Sequence, residues 1–103
     1  MGDIPEDQTA RTHWVISADT PEELRRRYDL WAETYDADLE EVDGYAAPQK
    51  VAEKLAEWAV PTGEVLDVAC GTGLCGLAFQ KAGFTNLTGV DYAENMVAKA
   101  AGR

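Results

Sequence analysis

Two aspartates and a knot of glycines hold most of the chemistry this sequence can offer. Asp67 stands in the apolar run EVLDVAC, residues 64–70, and Asp91 closes a second apolar run, LTGVD, twenty residues beyond Gly71. Between the two runs lies GTGLCG, residues 71–76. Glycine permits positive φ and lets a ligand approach the backbone closely. A helix starting there presents unpaired N–H groups and a partial positive charge to whatever is bound. A carboxylate at the end of the next strand can accept hydrogen bonds from both hydroxyls of a ribose. The arrangement points to a nucleoside-containing ligand.

GTGLCG matches G-x-G-x-x-G, so a nicotinamide dinucleotide is one candidate, although the match alone is weak. Asp67 argues against it. A dinucleotide fold usually keeps an apolar residue four positions before Gly71, and an unpaired carboxylate there repels a pyrophosphate. S-adenosylmethionine instead carries an ammonium, a sulfonium and a ribose. The ammonium suits Asp67 and the diol suits Asp91. Each acid also has a purely structural use: Asp67 can cap the N–H groups of the turn, and Asp91 can cap the helix that follows.

Those residues need a βαβ frame. The segment EVLDVAC reads as a short, doubly buried strand, TGLCGLAFQKAG as a helix closed by Gly83, LTGVD as a second, parallel strand, and AENMVAKAA as a further helix. Upstream, TPEELRRRYDLWAETY begins with a Thr20 cap, Pro21 in the first turn and Glu23 completing a capping box. Leu24, Tyr28, Trp31 and Tyr35 form one stripe, with Leu24 and Trp31 expected in the core and Arg25–Arg27 on a solvated face. The acidic stretch DADLEEVDGYAAP lacks the glycine and glutamate positions of a calcium loop and reads as a solvated linker. A helix from Pro48 to about Ala59 should bury Val51, Leu55 and Trp58. Residues 1–19 show no clear period and read as a mobile arm, with His13 given no role. Residues 20–63 form helices over the ligand site, and residues 64–103 form the binding unit.

At 103 residues the chain is at most one small domain, and its 46% apolar content allows a modest core. The net charge of −10 argues against DNA and anionic membranes as partners. No secretory signal or membrane-spanning run is visible. Cys70 and Cys75 are therefore read as reduced, which implies a cytoplasmic protein. Two cysteines and one distant histidine make no metal site.

VLDVACGTG followed by GVDYAENM resembles the glycine motif and the following acidic motif of class I S-adenosylmethionine-dependent methyltransferases. YDLWAETYDADL, APQKVAEKLAEW and GLCGLAFQKAGFTNLTGVD extend the likeness, over roughly residues 25–101, toward a methyltransferase-like group typified by the Williams–Beuren syndrome critical region. The resemblance implies a partial Rossmann-like α/β fold with one βαβ unit and two parallel strands. It implies a cofactor site lined by Asp67, Ala69, Cys70, Gly71, Thr72, Gly73 and Asp91. It further implies that Tyr35 folds over the cofactor and Tyr92 packs on the adenine. The chain departs from the family at Ala69, where many members have glycine, and at Ala93, where a serine often caps the next helix. A full fold of this family has seven strands. The expectation is therefore a truncated product or incomplete gene model, poorly stable, weak or inactive alone, with an unknown methyl acceptor and no nameable catalytic residue. The alternatives are an NAD(P)-binding fragment, or an interaction module that self-associates or pairs through an open sheet edge.

Overall fold

The computed structural model describes residues 4–43 and 45–103. The first three residues of the expected arm, and Gly44 of the expected linker, lie outside the described residues. Eight elements follow in order: α1 (Gln8–Ile16), α2 (Pro21–Trp31), α3 (Tyr35–Asp43), α4 (Ala47–Trp58), β1 (Val65–Val68), α5 (Leu74–Lys81), β2 (Leu87–Val90) and α6 (Glu94–Ala101). The strands pair in parallel, with Val65 opposite Leu87 and Asp67 opposite Gly89. This is the α/β architecture expected of a partial Rossmann-like methyltransferase fold.

One core cluster joins α4, α5 and the sheet. Ala52, Ala78, Phe79 and Phe84 are buried there, with Leu55, Val65 and Leu87 packed on them. A second joins α2 to α6 through Ala32, Ala93 and Met96, flanked by Tyr28 and Tyr35. Two glycines let the backbone close up. Gly73 sits at φ +89°, where an added Cβ would lie 3.1 Å from that of Ala100. At Gly89 an added Cβ would lie 2.9 Å from the Cys70 sulfur, so the strand crossing beneath that side chain has no room for one. Gly83 ends α5 at φ +99°. The amide of Gly83 bonds the Gln80 carbonyl and that of Phe84 bonds the Phe79 carbonyl, turning Phe84 back into the core.

Several local expectations are corrected. The segment read as an arm contains α1. Asp7 caps it by accepting from the Thr9 amide, and Val15 is fully buried. Arg11 explains the docking: its guanidinium donates at 2.9 Å to both Asp38 oxygens and at 3.2 Å to Thr34 Oγ1. The expected acidic linker is mostly α3. Its Asp38 is only 4% exposed and also accepts from Trp31 Nε1 at 2.6 Å. Charge misled the reading there, because a buried acid needs partners that lie 7 and 27 residues away. The stripe on α4 is shifted: Pro48 and Ala52 are buried while Val51 is exposed and Trp58 is 86% exposed. Alanine at position 52 allows α4 to approach α5 closely. β1 is not doubly buried. Leu66 and Val68 are 63% and 69% exposed, so one face of the sheet is bare. Leu24, expected in the core, is partly exposed.

Candidate functional site

The loop after β1 climbs through left-handed backbone at Ala69 (φ +61°), Gly71 (φ +58°) and Gly73 (φ +89°). It arrives beside the end of β2, where the Cys70 amide bonds the Val90 carbonyl at 2.9 Å. Asp91 ties the two strand ends together. Its Oδ2 accepts from the Gly71 amide and its Oδ1 from the Ala93 amide, each at 2.9 Å. Each oxygen keeps further acceptor capacity for a ligand.

Ala69, Gly71 and Asp91 form one wall of a cavity of about 270 Å³. Tyr92, Ala93 and Met96 continue that wall, while Leu24, Arg25, Tyr28 and Tyr35 close the other side. Tyr35 opens α3, and its ring meets Trp31 edge-on at 4.7 Å. Burial, with smaller contributions from Tyr45, Tyr28, Asp36 and Asp91, pushes its hydroxyl up to about 12. Burial and the Asp91 charge push Tyr28 the same way. Both therefore stay neutral, as donors beside a carboxylate. Arg25 lies over the Tyr92 ring at 5.0 Å and pairs with Glu94 at 3.3 Å. Its neighbours Arg26 and Arg27 do pair with Glu23 on the helix surface, but Arg25 belongs to the cavity.

The nine residues expected at the site are not all brought together. Ala69, Gly71, Asp91, Tyr92 and Tyr35 share the cavity just described. Asp67, Cys70 and Gly73 line a separate cavity of about 230 Å³ between α5, α6 and the sheet, with Arg103 at its edge. Thr72 is buried, and its hydroxyl donates to Asp36, which also pairs with Arg103. The turn thus divides Asp67 from Asp91, because adjacent positions along it face opposite sides. The two acids still interact. Burial, then the Asp91 charge, raises the Asp67 carboxyl above its ordinary range, and among the described residues Asp67 has no hydrogen-bonding or ion-pair partner. Neither acid caps in quite the way expected from spacing: Asp91 braces the turn, and Asp67 does not bond the turn amides.

Sequence reasoning passed over Arg25, Tyr28 and Met96. Tyr28 was in view, since it shares the helical stripe of Leu24 and Trp31. Arg25 gave no signal, because a run of three arginines among acids reads as a solvated surface. Among the described residues no cluster of metal-ligating side chains occurs, both cysteines are free, and no helix is long and apolar enough to cross a membrane.

A family profile described as a methyltransferase domain matches residues 65–103, the segment that builds the turn and both acids. The human protein "Methyltransferase-like protein 27" is 39% identical over 77 residues, covering 71% of this chain. The chain is thus similar to methyltransferases, and the likeness is carried by the segment that holds the glycine turn. It spans 31% of that relative's length. No solved structure matches the chain. The family match falls on the βαβ unit, while the human relative's 77 matched residues must extend into the helices upstream.

Proposed function

We propose that this methyltransferase-family chain binds S-adenosylmethionine through its nucleoside end in the cavity between α2 and the β2–α6 turn. The observation that carries the reading is Asp91, held by two backbone amides with acceptor capacity left over. Its oxygens take the ribose hydroxyls, Tyr92 packs on the adenine, and Tyr28 and Tyr35 cover the opposite face. When bound, the cofactor supplies an electrophilic methyl group on sulfur. The chain's own contribution is to orient the nucleoside and shield it from water. Mutual repulsion between Asp67 and Asp91 also favours a cationic ligand, since a positive charge near either acid relieves it.

The dinucleotide reading is weaker on the same geometry. A pyrophosphate needs amides of the turn free to donate. Here the Gly71 N–H is committed to Asp91 and the Gly73 N–H to the Cys70 carbonyl. Titration calorimetry of the 103-residue chain with S-adenosylhomocysteine and with NAD separates the two. Heat from the first, lost at least tenfold in Asp91→Ala, is expected. Binding of NAD alone overturns the reading. A third reading, self-association, draws on the bare apolar face of Leu66, Val68 and Val90. A monomeric mass by light scattering at high concentration would remove it. A cytoplasmic location belongs to the same proposal, from two cysteines that remain thiols.

A further inference from the structure

The first turn of α6 lacks a cap of its own. Ala93 occupies the N-cap position and offers no side-chain bond. The missing acceptor arrives from a helix 66 residues away. Asp29 Oδ1 of α2 accepts the Asn95 backbone amide at 2.9 Å, and the Asp29 carbonyl accepts the Asn95 side-chain amide at 3.0 Å. Beneath these bonds, Ala93 is packed with Ala32 and Met96. Beside them run the Arg25–Glu94 and Glu33–Lys99 ion pairs. α2 carries Leu24, Arg25 and Tyr28, and the turn into α6 carries Asp91, Tyr92 and Ala93. The Asp29–Asn95 junction therefore joins the two walls of the cavity without touching its interior.

We propose that Asp29 is a positioning residue, a cap supplied by another helix of the same chain, which makes docking of α2 and ordering of the α6 first turn a single event. Ligand that bridges the walls strengthens the junction, and the junction in turn holds the walls at ligand-binding distance. The consequence for affinity rests on the nucleoside reading given above.

The test uses the isotopically labelled 103-residue chain. Amide hydrogen exchange is read at Asn95 and along α2 without ligand, and S-adenosylhomocysteine affinity is read separately. In Asp29→Ala, exchange at Asn95 and in α2 should rise roughly fivefold, the usual scale of a lost cap, and affinity should fall about as much. Asp29→Asn keeps an oxygen acceptor and should stay within about twofold on both readings. Ala93→Ser added to Asp29→Ala restores a local cap, so it should recover protection at Asn95 while exchange in α2 stays raised. If Asp29→Ala does not fold, Asp29→Ser carries the same expectations, because its side chain is too short to reach Asn95. Unchanged exchange in α2 when Asn95 loses protection overturns the proposal, as does return of α2 protection on adding Ala93→Ser. If the unsubstituted chain binds no S-adenosylhomocysteine, the reading of the cavity fails, and exchange alone then decides the coupling.

Discussion

Ala69→Gly should stabilise this protein, the reverse of what replacing a residue with glycine ordinarily does. Ala69 sits at φ +61°, where the Cβ of an L-residue crowds the following carbonyl at a cost of roughly 1–2 kcal/mol. Its side chain is exposed, so little packing is lost with the methyl group. Glycine gives back roughly 0.4–1 kcal/mol through the greater freedom of the unfolded chain. The difference leaves a net gain of roughly 0.5–1 kcal/mol. For a chain of this size that corresponds to a rise of about 4 °C in melting temperature. Urea unfolding followed by tryptophan fluorescence measures it directly, with Gly71→Ala and Gly73→Ala as controls of opposite sign. Gly71 has nothing within 4 Å of an added Cβ, so its substitution costs only the backbone term. Gly73→Ala must also push against Ala100, with contacts of 3.1 and 3.2 Å, and should be the worse of the two. An unfolding midpoint for Ala69→Gly at or below that of the parent refutes the argument, because the left-handed geometry would then carry no strain.

Two further outcomes follow from charge. Burial pushes the Asp38 carboxyl up, but hydrogen bonds from Trp31, Arg11 and Thr34 outweigh it and leave the group below its ordinary value. Its contribution to stability is therefore complete above about pH 4 and drains away as pH falls through the lowered folded value. α1 should be released in that acid range, and Asp38→Ala should lower stability by about 3 kcal/mol at neutral pH, since it strands a guanidinium and an indole N–H. Denaturation midpoints across pH 2–7 check both, and an acid-insensitive Asp38→Ala difference would contradict them. The cysteine prediction concerns reactivity. Burial, then the charges of Asp91 and Asp67, raises the Cys70 thiol, and burial and Asp67 raise Cys75. Both should alkylate more slowly at pH 7.5 than a free thiol, with rates that climb only at distinctly alkaline pH; iodoacetamide kinetics by mass spectrometry would show it.

The βαβ unit was legible because its signals are local. Glycines, a strand-ending acid and a change of period all fall within thirty residues, and the structure places Gly71 and Asp91 in direct contact. The N-terminal half was harder because its helices are specified by distant partners. α3 reads as a solvated acidic stretch until Arg11 and Trp31 are brought to Asp38, and α1 has no strong stripe of its own beyond Val15. Spacing also carried no information about which side of the turn a side chain takes. Asp67 and Asp91 read as partners for the two ends of one ligand, its ammonium and its ribose, yet the structure places them in different cavities. The exposed sheet face shows another limit. Apolar composition identified β1 as a strand, but it could not say which of its two faces this chain covers.

If the proposed nucleoside site holds, Asp91 would bear on selectivity as well as affinity. A carboxylate fastened by one amide of its own loop and one of the glycine turn cannot swing toward a visitor or follow a sugar that presents its hydroxyls differently. It offers one fixed pair of acceptor directions. On the proposed nucleoside reading, a 2′-deoxy or 3′-deoxy analogue would leave an oxygen facing empty space that no rearrangement can fill, and discrimination against such analogues would follow from the rigidity of the turn.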